Sequence, residues 1–142
     1  TPLVTYYNLI DQSSEYPMMK VMGKIGYDTW TLGNHEFNYG LPTLNRIIKD
    51  AKANNINVLS ANIYKDDNTN FVEPYYIKSF DVNGKTIKVG VIGMTTKTVP
   101  SWEDAAHYKG LKFNDLVDEA KKWVPKLRKE GADIVIVAAH SG

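Results

Sequence analysis

The sequence predicts an α/β fold built on a mixed sheet, and three features carry that prediction. Residues 27–63 read as strand, helix, strand, the length that a parallel crossover requires. Asn83-Gly84 joins two strand-like runs as a two-residue hairpin, which is antiparallel. An amphipathic helix then leads into the apolar strand ADIVIVAAH at 132–140. Both kinds of pairing in 142 residues, the length of one domain, make the sheet mixed.

The elements follow in order. In YPMMKVMGKI, Met18, Met19, Met22 and Ile25 fall near helical spacing, with Ser13 or Ser14 as a cap and Gly26 as a stop. YDTWTLG is a short strand ending at Gly33. Beyond the loop GNHEFNYG, a helix is marked by Leu41, Leu44, Ile47, Ile48 and Ala51, with Pro42 in its first turn. INVLSANIY is a second strand and KDDNTN a polar surface loop. YYIKSFDV and KTIKVGVIGM flank the hairpin turn, and VGVIGM is too apolar for a wet face, so it enters the core. TTKTVPSWEDAAHYKG is irregular. FNDLVDEAKKWVPKLRKEG is a helix capped near Asn114 or Asp115, with Leu116, Ala120, Trp123, Val124 and Leu127 inward and Gly131 at its end. Pro125 inside it predicts a kink or broken turn. The closing strand is expected to be fully buried.

Composition narrows the function. The 17 basic residues against 16 acidic ones leave a net charge of +1, so no long-range field recruits nucleic acid or an anionic membrane. Without cysteine there are neither disulfides nor thiolate metal sites. No apolar run is long enough to span a bilayer, and TPLVTYYN lacks the pattern of a signal peptide. The chain opens without Met and closes just past an apolar strand, from which we expect a portion of something longer, cut at both ends.

Two stretches follow strands and concentrate chemistry: Gly33-Asn34-His35-Glu36 and the terminal AHSG. Asn34 offers a neutral oxygen for a hard or borderline cation. His35 can ligate a metal or stand beside one and donate to a phosphoryl or leaving-group oxygen. Glu36 can anchor the loop backbone, and His140, leaving a strand, suits a metal as an imidazole ligand. Ligands of open α/β sheets gather outside the carboxyl ends of strands, so the 105 positions between His35 and His140 do not keep them apart. Taken singly, a loop Asn or His is usually a turn former or a solvated side chain, and His140 can equally be satisfied by nearby backbone. His107, with no partner in sequence, is given no role. Tyr75, Tyr76 and Trp102 have the shape to stack on a base, although aromatics beside strands are more often core. The basic face of KKWVPKLRKEG is solvated helix surface. GKIG and GVIG lack the Lys-Ser/Thr of a phosphate loop, and Ser141 has no nucleophile elbow around it.

GNHEFNYG followed by LPTLNRI, SANIY, KVGVIGMTTKTVPSWED and ADIVIVAAHSG resembles the calcineurin-like metallophosphoesterases, in particular the bacterial 5'-nucleotidase and 2',3'-cyclic-nucleotide 2'-phosphodiesterase group. The likeness covers nearly the whole chain. It implies a layered α/β/β/α sandwich, with residues 1–142 a partial catalytic domain truncated at both ends and the family's C-terminal nucleotide-binding domain absent. It also implies two divalent metal ions, Mn, Zn or similar, which together acidify a water and clamp phosphoryl oxygens. By resemblance Asn34 and His140 ligate one of these ions and His35 is the catalytic imidazole. Many 5'-nucleotidases carry an Asp three residues beyond that His, where this chain has Asn38. An amide there can orient the ring without supplying a carboxylate's charge.

The form HEFNYGL is similar to the cyclic-nucleotide branch and favours 2',3'-cyclic nucleotides and 3'-nucleotides over 5'-nucleotides. The alternatives are a 5'-nucleotidase or nucleotide-sugar hydrolase, and a surface binding protein without catalysis on the same fold. The family's other ligand segments lie before Thr1 and after Gly142, so the metal site is expected to be incomplete in this piece, and the piece inactive alone. The expected partner is a nucleotide, with no nucleic acid and no membrane span. The expected location is extracytoplasmic: periplasm, cell wall or secreted.

Overall fold

In the computed structural model, which describes residues 2–11 and 13–141, the chain alternates helices and short strands. Its helices are α1 (Pro2–Leu9), α2 (Pro17–Ile25), α3 (Gly40–Ala53), α4 (Val99–Trp102) and α5 (Leu116–Lys129). Its strands are β1 (Thr29–Thr31), β2 (Asn57–Leu59), β3 (Ile63–Lys65), β4 (Tyr75–Val82), β5 (Lys85–Thr95), β6 (Leu111–Phe113) and β7 (Ile134–His140). Single 3-10 turns cover His35–Phe37 and Ala105–His107.

The strands form three sheets: parallel β1-β2, antiparallel β3-β6, and the mixed sheet β4-β5-β7. In the last, β5 runs antiparallel to β4 and parallel to β7, as the hairpin and the apolar final strand predict. Asn83 and Gly84 both take left-handed backbone, φ 53° and 77°, the conformation that a tight two-residue hairpin demands. The strand, helix, strand crossover is also present: β1 and β2 pair in parallel around α3.

Two apolar cores lie on either side of these sheets, giving the layered α/β arrangement. The first joins α2 and α3 to β1 and β2 through Met19, Leu32, Phe37, Leu44, Ile47, Ile48, Ala51, Ile56 and Val58. The second packs Trp123 and Leu127 of α5 on Ile92, Met94 and Ala61. Full burial of a Leu or Ile side chain stabilises by about 1.5–3 kcal/mol, so the periodic apolar residues of α3 account for its docking. Asp115 caps α5, its carboxylate accepting from the amides of Val117 and Asp118 at 2.9 and 3.4 Å.

The structure departs from the sequence reading in several places. Helix α1 was not anticipated, nor were α4, inside the segment read as irregular, and β6, which takes Phe113 from the helix expected there. Ser13 and Ser14 do not cap α2: their hydroxyls donate to the Asp11 carboxylate at 3.0 and 2.9 Å, and Tyr16 holds the cap position without a side-chain bond. The run INVLSANIY is two strands in different sheets, because Ser60, Ala61 and Asn62 leave the ladder. The Ser60 and Ala61 amides donate sideways to Glu73 O and Gly93 O, at 3.0 and 2.7 Å. Helix α5 continues through Pro125, and since Lys121 and Pro125 are both exposed, the carbonyl deprived of its partner lies on the wet side. Strand β7 is not buried: Ile134, Ile136 and Val137 are 48%, 47% and 44% exposed. It lies at the edge of its sheet: Val135 packs against the core under α5 and His140 lies against Gly33, while Ile134 and Ile136 on one face and Val137 on the other stay open to solvent.

A buried polar staple ties the sheets together at the break in INVLSANIY. Thr95 Oγ1 donates to Leu32 O at 2.7 Å and lies 2.8 Å from Ser60 Oγ. Asn62 donates through Nδ2 to Thr95 O and Asn114 O at 2.6 and 3.0 Å, and accepts from the Thr95 amide at 2.8 Å. Ser60, Asn62 and Thr95 are all fully buried, so each bond replaces water that cannot enter. A second knot holds α5. Buried Glu119 accepts from Tyr64 Oη, Asn114 Nδ2 and Trp123 Nε1, at 2.7, 2.9 and 2.9 Å.

Thr95→Val keeps the volume but leaves Leu32 O without its side-chain donor and Ser60 Oγ with Asn62 Oδ1 alone, a loss of about 1–3 kcal/mol. The urea midpoint of the intact protein is expected to fall, and an unchanged midpoint would show that the hydroxyl contributes nothing. For Glu119, burial pushes the carboxyl up, but hydrogen bonds from Asn114, Tyr64 and Trp123, with the Lys122 charge, outweigh it and hold it below the ordinary 4.5. A lowered folded value stabilises the fold above the ordinary value, and that contribution disappears as pH falls through the lowered one. Glu119→Gln is therefore less stable than wild type at neutral pH, and the gap narrows as pH drops below 4.5. A gap that stays constant with pH in thermal melts would refute this.

Candidate active site

The site lies where three strands end. Leu32, just past β1, is pinned by Thr95 at the end of β5, and the register of the parallel pair sets Thr95 opposite His140 at the end of β7. The chain then turns through Gly33 and Asn34 into the 3-10 turn of His35–Phe37. Buried Phe37 roots this turn in the first core, edge-on to Phe113 with ring centroids 5.3 Å apart.

The turn closes on itself through Glu36, whose Oε2 accepts from the Gly33 amide at 2.6 Å, the anchoring expected of that carboxylate. Gly33 leaves room for both side chains packed on the turn, which a larger residue would displace. A β-carbon at this position would stand 2.8 Å from Glu36 Oε2 and 2.9 Å from His140 Nδ1. The imidazole of His140 thus rests against the bare backbone of the turn, which brings its Nε2 to 2.8 Å from Asn34 Oδ1 across 106 positions of sequence.

Both expected metal-ligating residues therefore meet, and they meet through the atoms that would bind a cation. The 2.8 Å separation of Asn34 Oδ1 and His140 Nε2 is that of a hydrogen bond, and it sets the two donor atoms side by side, a small shift short of the roughly 3.3–3.6 Å between two ligands of one tetrahedral ion. Among the described residues no group of three or more His, Asp or Glu side chains converges to complete such a site.

His35 faces the other way along the turn. Its Nδ1 is 2.8 Å from Asn38 Oδ1, so the expected amide partner is in place. His35 is exposed, and together with Glu36, Asn38 and Tyr39 it forms one wall of a cavity of about 510 Å³ whose opposite side is Tyr16, Met18, Met19, Met22 and Trp30.

Sequence reasoning missed what stands behind Asn38. Its Nδ2 donates to Glu103 Oε1 at 2.5 Å, and Glu103 Oε2 lies 3.5 Å from Nδ1 of His107. Glu103 comes from the segment read as irregular, 65 positions from Asn38, and the Trp-Glu pair at 102–103 carries no motif that announces the contact. His107, given no role from sequence, is the far end of this chain of contacts. Trp102 is 54% exposed, and Tyr75 donates to Glu130 at the end of α5.

No protein-family model matches this chain. It is 35% identical over 140 residues to the trifunctional nucleotide phosphoesterase protein YfkN of Bacillus subtilis, covering 95% of this chain and 9% of that protein. Against the 2',3'-cyclic-nucleotide 2'-phosphodiesterase/3'-nucleotidase of Salmonella typhimurium it is 37% identical over 134 residues, covering 89% of this chain and 20% of that one. A 5'-nucleotidase of Vibrio cholerae is 40% identical over 134 residues (93% of this chain, 23% of the relative), and a cell wall protein of Listeria monocytogenes 31% over 141 (87% and 18%). The crystal structure of calcineurin-like phosphoesterase YfkN superposes on all of this chain and 45% of its own with a TM-score of 0.86 at 35% identity. The chain thus spans between a tenth and a quarter of these curated relatives. The likeness of sequence, fold and strand-end turn places this chain among the calcineurin-like phosphoesterases, with the 5'-nucleotidases and the nucleotide phosphodiesterases.

Proposed function

We propose that this chain is part of the catalytic domain of a metal-dependent nucleotide phosphoesterase, acting on 2',3'-cyclic nucleotides and 3'-nucleotides. The observation that carries the reading is the meeting of Asn34 with His140 beside the His35–Asn38 pair at the ends of β1, β5 and β7. Asn34 and His140 contribute two ligands to one cation, and other parts of the intact protein supply the rest. When bound, divalent ions there supply Lewis acidity toward phosphoryl oxygens and lower the pKa of water for attack.

The chain's own residues do the remainder. With Asn38 Oδ1 accepting from Nδ1–H, His35 is left with Nε2 to meet a phosphoryl or leaving-group oxygen. The Glu36 carboxylate holds the turn, from which Asn34 reaches His140 while His35, on its other side, lines the cavity in which a nucleotide would sit. Asn38, an amide in place of the carboxylate of many 5'-nucleotidases, supports the cyclic-nucleotide branch. The 40% identity to a 5'-nucleotidase supports 5'-nucleotides as the second reading. A location outside the cytoplasm accords with the cell wall protein among the relatives.

Hydrolysis of 2',3'-cyclic AMP and 5'-AMP by the intact protein tests both readings. We expect faster turnover of the cyclic substrate, dependent on added Mn²⁺ and abolished by chelation. His35→Ala is expected to lower kcat by about 10²–10⁴-fold, the usual worth of an acid–base group. A preference for 5'-AMP would move the assignment to the second reading, and activity indifferent to chelator would refute the metal dependence. Asn34→Ala and His140→Ala should each weaken Mn²⁺ binding in calorimetry while leaving the far-ultraviolet circular dichroism unchanged. Wild-type affinity in either variant removes that residue from the ligand set.

A further inference from the structure

Asn38 is held from both sides, and the chemistry of its two neighbours permits only one arrangement. Glu103 is a carboxylate and, when ionised, can only accept, so the Asn38 group facing it at 2.5 Å must be the amide nitrogen. That leaves Oδ1 toward His35 at 2.8 Å, and an amide oxygen can only accept. The proton between Asn38 and His35 therefore belongs to Nδ1 of the imidazole. Without Glu103 an Asn side chain has no such preference: its two ends are almost the same size, and either can face the ring.

Glu103 is itself held in place. Its side chain is 9% exposed, and its second oxygen lies 3.5 Å from His107 Nδ1, a nitrogen buried without a hydrogen bond of its own. The His107 ring in turn packs near Gly40, where α3 begins.

We propose that Glu103 is a positioning residue which, by accepting from the Asn38 amide, fixes the orientation of that amide and through it the tautomer and direction of the His35 ring. The inference rests on the reading of His35 as the group that meets the phosphoryl ester. It assigns to the PSWED segment a part in the site that its sequence does not announce. A carboxylate is present after all, one residue further back than in enzymes that set an Asp directly beside the imidazole.

The test is nitrogen-15 NMR of histidine in the intact, metal-free protein at alkaline pH, with His35→Ala used to identify the His35 signals. We expect the Nδ1–H tautomer in wild type and a mixture in both Glu103→Ala and Glu103→Gln, since a Gln amide can present either its oxygen or its nitrogen and no longer dictates which end of Asn38 faces the ring. Asn38→Asp places two carboxylates face to face and should lose kcat by about 10- to 100-fold, the scale of a misplaced catalytic group. Asn38→Asp combined with Glu103→Gln should recover most of that loss, because Gln can donate where Glu cannot. KM should change less than 3-fold throughout, an order-of-magnitude bound for a residue that aims a catalytic group without binding substrate.

An unchanged His35 tautomer in Glu103→Ala, or no recovery in the double variant, would overturn the proposal. The nitrogen signals are read without metal or substrate, so they decide it independently of catalysis. Full activity in His35→Ala would instead overturn the catalytic reading of that residue.

Discussion

The hydroxyl of Thr95 bears on every part of the site. It donates to the carbonyl of Leu32 and meets the hydroxyl of Ser60, while the same residue's backbone exchanges hydrogen bonds with the Asn62 side chain. One residue thus fastens the end of β5 to the paired ends of β1 and β2, which belong to a different sheet. The same Thr95 faces His140 in the register of the parallel pair. Fixing it therefore fixes the distance between the turn after β1 and the last residue of β7. The 2.8 Å contact of Asn34 with His140 is the far consequence of a buried, water-free set of bonds that belongs to the fold.

Periodicity made most of the fold legible. The helix of α3, the hairpin at Asn83-Gly84 and the Asp115 cap each rest on a local rule: apolar spacing, left-handed turn residues, a carboxylate over free amides. What the sequence hid depended on neighbours far along the chain. INVLSANIY has the composition of one strand, yet Ser60 and Asn62 sacrifice ladder positions to satisfy Thr95 from another element. ADIVIVAAH looks like a strand covered on both sides, but apolar composition records only that a residue suits burial, not that a second layer is present to bury it. Pro125 sits on the outer face of α5, where a missing hydrogen bond faces water and costs little.

The site divides in the same way. Gly33, Asn34, His35 and Glu36 are contiguous, and the reason for each could be argued from its chemistry: space, oxygen ligand, imidazole, backbone anchor. His140 was reachable because topology gathers the carboxyl ends of strands. Glu103 was not, since it meets the turn through the Asn38 side chain, and a side chain that acts on another side chain leaves no pattern in its own neighbourhood. Nor did His107 show that its partner is Glu103, although the two are four residues apart and share one short segment.

Strand β7 ends in His140 while lying at the margin of its sheet, bonded among the described residues to β5 alone. The margin of a sheet is where backbone opening begins, well before global unfolding. Peeling the last residues of β7 from β5 would carry the imidazole away from Gly33 while leaving both apolar cores closed. The assembly of Asn34 with His140 is therefore governed by the fraying equilibrium of one strand end, and the population in which the two side chains meet can be smaller than the population that is folded.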